Sequence, residues 1–336
     1  MKKKLISLTT VMTFALLFFT GCQKEIQQKE ETPLAGENSL QSRTNDGDEQ
    51  GCQLKHVDYG SIIGGYTLDF KYNDRGLASE VLIRYSDGYF EQHKIFYDRR
   101  NRLVKTRIIS SDFPVILYDF SHSGDFITRA NGYFEGTNEP WRDIHYSYNR
   151  KGQMSKLDDV VQDVHMKYFY NNQGYNNRGE FYLGTDLYYT YDYAFRIPNR
   201  NPFLAVNGVP FGFWDFFLPL WDKRWESNDR YVIYEEGSPT VLVDTDPAQT
   251  TMVTGPHNYL TSATKYDRIS ESFYTETMNY KNCGGGHENE NNNDAATSTG
   301  KQFKPLTPRA KLQRILSGPS KNIKQQLTEL KRQLRK

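Results

Sequence analysis

The chain has 336 residues, of which 37% are hydrophobic and 14% aromatic, and its formal net charge is +1. The mean hydropathy of -0.75 excludes an integral helical membrane protein. The 24 tyrosines and 20 phenylalanines take the place of the leucines that a helical core would need. Because Tyr and Phe favour half-buried positions on strands, this composition indicates an all-β protein.

The first residues have the pattern of an export signal. Three consecutive lysines precede an apolar run of 15 residues, Leu5 to Phe19. This run is shorter than the roughly 20 residues that span a bilayer, and it fits the core of a signal peptide. The sequence that ends at Cys22 resembles a bacterial lipobox, with Phe19 where that family usually has leucine. The resemblance implies that residues 1–21 are removed and that Cys22 is lipidated; the alternative is an ordinary cleaved signal followed by an unrelated cysteine.

Residues 22–51 have the composition of a flexible, solvated tether. Between Gln23 and Gln50 there are three basic and seven acidic residues, and few apolar ones. Such a segment buries too little apolar surface to fold by itself. The letters CQKE, which start at Cys22, resemble the signals that send some Bacteroidota lipoproteins to the cell surface. That resemblance implies an outer-membrane lipoprotein, at the cell surface rather than on the periplasmic face.

An aromatic residue followed four positions later by Gly or Asn recurs five times. The aromatic residues are Tyr72, Tyr97, Phe120, Tyr148 and Tyr170, spaced 25, 23, 28 and 22 residues apart. Apolar and polar residues alternate before most of them, as on a strand with one buried face. The Gly or Asn tolerates the positive φ of a tight turn. Each unit is therefore predicted to be a β-hairpin, and residues 52–283 to be an antiparallel meander curled into a half-barrel, a closed barrel or a solenoid-like sheet.

Two of these units carry a family resemblance. YNDRGL, which starts at Tyr72, and YNRKGQMSKL, which starts at Tyr148, are similar to the YD-type repeats of Rhs-like surface proteins. The layout of roughly residues 60–235 resembles uncharacterised Bacteroidota lipoproteins built from β-hairpin repeats. The resemblance implies a porin-like β fold and brings no assigned chemistry with it. Five clear units are too few for the long Rhs shell that encloses a toxin.

The segment after the repeats concentrates aromatic residues. Trp214, Trp221 and Trp225 lie among four prolines between Tyr188 and Glu226. Indole faces stack well on sugars and supply a large contact area, so these three residues are the candidate contacts for a glycan or peptide ligand. The alternative is that the segment plugs the open end or concave face of the curled sheet. Further strands are expected between this segment and Cys283.

The C-terminal part changes character twice. Residues 284–300 are a polar, low-complexity linker. Residues 301–336 hold 11 basic residues and one acidic residue, and the helix punctuation there predicts a basic amphipathic tail. We expect this tail either to bind an anionic surface (membrane, lipopolysaccharide or nucleic acid), or to be solvated or docked back on the acidic domain. The candidate contacts are Lys311, Arg314, Lys321, Lys324, Lys331 and Arg332.

The remaining candidates for chemistry are weak. With Cys22 lipidated, Cys52 and Cys283 bracket the domain in an oxidising compartment, either as a disulfide or as two separate thiols. His145 and His165 share strand parity and would face each other on adjacent strands. Asp244 and Asp246 lack the other oxygen ligands of a calcium loop, and Cys283 with His287 has no held base. No metal, cofactor or catalytic residue is predicted.

The sequence therefore favours a membrane-anchored envelope lipoprotein that acts as a non-catalytic binding or adhesion module. The alternative is a structural envelope protein whose basic tail holds an anionic surface. A hydrolase of envelope polysaccharide is the third hypothesis.

Overall fold

A computed structural model describes residues 52–60, 65–137, 140–194, 202–206, 228–235 and 238–283, together with residues 306, 326 and 329. Sixteen antiparallel strands form one closed barrel, in which each strand pairs with its neighbours in sequence and β1 also pairs with β16. Of the three architectures that the repeats allowed, the protein therefore adopts the closed barrel. The strands are β1 Gln53–Tyr59, β2 Tyr66–Tyr72, β3 Ala78–Tyr85, β4 Phe90–Tyr97, β5 Leu103–Ser110, β6 Ile116–Ser123, β7 Phe126–Phe134, β8 Pro140–Tyr148, β9 Met154–Asp159, β10 Val164–Tyr170, β11 Asn176–Leu183, β12 Asp186–Ala194, β13 Asn228–Glu235, β14 Ser238–Thr254, β15 Leu260–Asp267 and β16 Ser272–Lys281.

The core lies inside the barrel. On β2, Tyr66, Leu68 and Phe70 are buried, while Thr67 and Asp69 between them are partly exposed. The same alternation on the other strands directs one row of side chains from each strand into a single hydrophobic cluster. The period-two pattern thus determines the wall and the core together, because successive side chains of a strand point to opposite faces of the sheet.

The barrel has two ends with different connections. We call the end that carries the β2–β3, β4–β5, β6–β7, β8–β9, β10–β11 and β14–β15 turns the tyrosine-turn end, and the other end the opposite end. In an up-and-down barrel β1 begins and β16 ends at the tyrosine-turn end. There Cys52 and Cys283 form a disulfide, across 231 residues of sequence. The 33-residue connection between β12 and β13 (residues 195–227) also leaves and returns at this end.

Part of that connection fills the barrel. Residues Pro202–Ala205 form a short 3-10 turn near β1. Phe203 is buried, with its ring centroid 6.3 Å from that of Phe70. Ala205 and Val206 are buried in the same cluster, as is Leu306 from the start of the predicted tail.

No helix in the described part of the chain has the length and apolar character to cross a bilayer. The helical form predicted for residues 301–336 lies outside the described residues, apart from three isolated positions.

Candidate functional site

The recurring tyrosine links its strand to the preceding strand at the tyrosine-turn end, whereas the turn that connects these two strands lies at the opposite end. Each tyrosine closes the inward row of an even-numbered strand, and its hydroxyl donates to a backbone carbonyl at the start of the preceding strand. Burial raises the pKa of the phenols of Tyr72, Tyr97, Tyr148 and Tyr280, so these hydroxyls keep their protons and remain donors. The donor and acceptor pairs are Tyr72 with Leu54, Tyr97 with Ala78, Tyr148 with Ile127, Tyr170 with Met154 and Tyr280 with Leu260, at 2.6 to 2.9 Å.

The residue after the tyrosine holds the turn itself. Asn73 Oδ1 accepts from the backbone N–H of Arg75 and of Leu77, at 3.0 and 3.1 Å. Asp98, Asn149 and Asn171 accept the same two bonds in their own turns. The fourth position then has positive φ, as at Gly76 with φ 74°, which explains the spacing of four from tyrosine to Gly or Asn.

The third unit departs from this arrangement, so the assignment of Phe120 as its equivalent aromatic residue is wrong. Its turn has two residues, Gly124 and Asp125, instead of five. His122, two positions after Phe120, takes the place of the tyrosine, and its Nε2 lies 2.6 Å from the carbonyl oxygen of Leu103. Phe120 remains a buried core residue. The sequence does indicate this difference, because Phe120 is not followed by Asn or Asp, whereas the tyrosines of the other four units are.

A further unit escaped sequence analysis. Between β14 and β15, Gly255 N–H donates to the carbonyl of Tyr259 at 2.8 Å, and Asn258 has φ 61°. The β2–β3 turn has the same closing bond, from Asn73 to Leu77. Thr254 lies where the other units have tyrosine, so the sequence motif is absent from this unit.

The tips of the tyrosine-turn end are basic. Within the described connections at this end the formal charges of the side chains sum to +3. Arg102 is neutralised by Asp98, whose carboxylate lies 2.8 Å from its guanidinium, while the other basic side chains are exposed. The basic residues are Arg75, Arg99, Arg100, Arg102, Arg150 and Lys151, and the acidic ones are Asp74, Asp98 and Asp125.

The connections at the opposite end have the reverse sign. Their described residues sum to -4, so the barrel is charged asymmetrically along its strands. The acidic residues are Asp87, Asp112, Glu135, Asp163 and Glu271, and the basic one is Arg268.

The outer wall carries ion pairs between neighbouring strands. Arg129 binds Asp143 with two nitrogen–oxygen contacts of 2.7 and 2.8 Å. Asp69 is paired with Arg84 and with His56. Lys71 with Glu80 and Lys105 with Asp119 are further pairs of this kind, while Lys156 and Asp158 pair within β9.

A buried polar cluster lies inside the barrel, near the opposite end. Glu91 accepts from the Tyr89 hydroxyl at 2.9 Å, and its second oxygen lies 3.0 Å from His93 Nε2. Arg142 and Asp159 approach to 3.5 Å across strands β8 and β9. The side chains of both pairs are sealed from solvent. Each pair holds its polar groups against one another inside the barrel and does not present them to a substrate.

The structure places some of the predicted site residues and leaves others outside its described part. Cys22, the three tryptophans Trp214, Trp221 and Trp225, and the six basic residues of the tail lie outside the described residues.

The expectation that His145 and His165 face each other on adjacent strands is wrong, because β9 lies between β8 and β10. His165 Nδ1 instead lies 2.7 Å from Asp158 of β9. Asp246 is bound by Arg268 and by the N–H of Ala248. The described residues contain no group of three or more His, Cys, Asp or Glu suited to a metal ion.

Comparisons with known proteins return structural matches only. No family model and no curated protein matches the chain. Among solved structures, the chain is similar to a porin-like protein from Bacteroides uniformis, with 14% identity and a TM-score of 0.42, over 69% of this chain and 95% of that one. It is also similar to a porin-like protein from Bacteroides vulgatus, with 12% identity and a TM-score of 0.35, over 68% of this chain and 99% of that one.

Proposed function

We propose that the protein is an envelope lipoprotein, held at the membrane through Cys22, whose barrel is a non-catalytic scaffold for binding a glycan or peptide. The observation that carries this proposal is the β12–β13 connection. The repeat turns at the tyrosine-turn end have two to five residues, whereas this connection spans residues 195–227. Long connections on a rigid scaffold are where binding residues concentrate.

The residues of this connection suit a contact surface for a ligand. Three of the four tryptophans of the chain, Trp214, Trp221 and Trp225, lie within it. Its start is fixed inside the barrel by Phe203, which packs against Phe70. An indole ring offers a large, stiff face on which a sugar or peptide can stack with little loss of conformational entropy.

The charged outer wall supports a barrel that stands in water and is held to the membrane by its anchor. A Lys or Arg on a lipid-facing strand costs about 2–4 kcal/mol at the bilayer midplane. Pairs such as Arg129 with Asp143 and Lys105 with Asp119 lie on the outward face. The inward face, which would line the channel of a wide pore, is filled by the aromatic core and by Phe203.

The test measures binding of the purified full-length protein to a panel of glycans and peptides. Trp214→Ala, Trp221→Ala and Trp225→Ala are compared with the wild type, and the melting temperature of each variant is recorded. We expect each change to weaken binding while the melting temperature stays within about 2 °C, because an exposed contact residue adds little to folding. A variant that melts much earlier identifies a core tryptophan, and retained binding in all three variants contradicts the proposal.

The location is tested by protease treatment of intact cells, with Cys22→Ala as the control. Loss of the barrel from intact cells is the expected result for a surface lipoprotein. Protection until the outer membrane is permeabilised would instead indicate the periplasmic face.

A further inference from the structure

We infer that the tyrosine-turn end of the barrel lies against the headgroup layer of a membrane, where its basic tips bind the phosphates of anionic lipids. This inference concerns how the barrel is oriented on the membrane, and it does not depend on which ligand the protein captures. It brings the β12–β13 connection, which leaves and returns at the same end, to the membrane side, so a ligand captured there would be bound close to the membrane surface. It requires only that this end presents cations, apolar side chains and the two ends of the described chain on one side.

Four of the six cations at this end are presented by turns that do not use their side chains. Arg100 and Lys151 hold their turns through backbone N–H groups, which donate to Asp98 and Asn149 at 2.8 and 2.9 Å. Their side chains, and those of Arg99 and Arg150, are exposed. The charges therefore project from rigid hairpin tips and are available to phosphates. Each Lys or Arg near an anionic membrane surface is worth about a fivefold gain in binding.

A rim of apolar side chains stands just behind the tips. Phe96, Phe169 and Val253 are exposed by 45%, 41% and 52%, and each is the residue before the last of its strand. All three point outward from the part of the barrel wall that would contact the headgroups. Apolar side chains next to basic ones are the pattern of surfaces that dock in the membrane interface.

The course of the chain supports the same side. Because β1 begins and β16 ends at the tyrosine-turn end, the chain before Cys52 and the chain after Cys283 both depart from there. The former holds the predicted lipid anchor, and the latter includes residues 301–336 with 11 basic residues. An anchor and a basic segment that start from one end bring that end to the membrane before the other.

Charge distinguishes this end from the opposite one. The opposite end also exposes apolar side chains, Val160 and Ile269 among them, but the charges of its described connection residues sum to -4. Anionic headgroups repel that surface within a Debye length of about 8 Å. Of the two ends, only the tyrosine-turn end combines apolar exposure with positive charge in its described residues.

The test places an environment-sensitive fluorophore at either end of β11 in the whole mature protein. Asn172→Cys labels an exposed turn position at the tyrosine-turn end, and Thr185→Cys labels the matched position at the opposite end. The two labels are separated by the length of the strand, about 26 Å. Both proteins are bound to vesicles of phosphatidylcholine with or without phosphatidylglycerol.

We expect the label at residue 172 to report an apolar environment on the anionic vesicles and the label at residue 185 to remain in water. In the variant R99E/R100E/R150E/K151E the affinity of this end for the anionic vesicles is expected to fall by at least about tenfold. The charge reversal at the opposite end, D112K/D163K, is expected to leave it unchanged. A label at residue 172 that stays in water would overturn the inference. Contact that survives the four charge reversals would overturn it too, by assigning the membrane contact to another part of the chain.

Discussion

Removal of one tyrosine hydroxyl tests whether these phenols join the strands. In Tyr97→Phe the ring is kept and only the hydroxyl is lost, together with its 2.7 Å bond to the carbonyl of Ala78. Ala78 is fully buried, so water does not replace the missing donor. The loss combines the bond and an unsatisfied carbonyl, which together cost about 1.5 kcal/mol. For a domain of this size that corresponds to a melting temperature lower by about 3–6 °C.

The matched control makes the same chemical change on the outer wall. Tyr133 donates to Asp119 at 2.6 Å, but this pair is partly exposed, so water takes over the bond in Tyr133→Phe. Its expected cost is within about 0.5 kcal/mol. Both variants are unfolded by urea with the Cys52–Cys283 disulfide intact. If Tyr97→Phe costs no more than Tyr133→Phe, the hydroxyls do not hold the strands together and the repeat needs another explanation.

Two further predictions concern close packing and pH. In Gly179→Ala the added Cβ would lie 2.2 Å from Cε1 of Tyr191, so we expect the free energy of unfolding in urea to fall by about 1–3 kcal/mol. In the double variant with Tyr191→Leu the alanine should cost less, because the clash is removed. Strictly additive losses would contradict this contact. The hydrogen bond from Arg129 holds the pKa of Asp143 below its usual value, so this pair stabilises the fold above about pH 4 and that contribution disappears as the pH falls further. Asp143→Asn should flatten the acid limb of a stability–pH profile, and an unchanged limb would refute that role.

The hairpin modules were predictable because they depend on local chemistry. A tight turn needs a residue that tolerates positive φ, and a half-buried strand needs alternation, so Gly76 and the row ending at Tyr72 are visible in the sequence. The exceptions were hidden because the same contact is made by a different residue. His122 replaces a tyrosine, and Thr254 precedes a turn of the same form without one.

One type of turn was not recognised from the sequence. Asp159 Oδ1 accepts from the N–H groups of Asp143 and Val161, and Asp267 Oδ1 accepts from those of Asp244 and Ile269. The two turns share this geometry, although their sequences, DVVQD and DRISE, have little in common. Both begin with Asp, but one of the two donors to each Asp comes from the backbone of a neighbouring strand, and such a donor leaves no pattern in the side chains.

The sequence by itself determined the all-β class, the hairpin repeats and the division into basic and acidic segments, because each depends on residues that are close in the chain. Only the tertiary structure decided that the meander closes, since closure depends on β1 meeting β16 across more than 200 residues. The up-and-down order of the strands also gathers the basic tips at one end and the acidic ones at the other. That asymmetry arises from turns that alternate between two ends, and no local stretch of the sequence contains it.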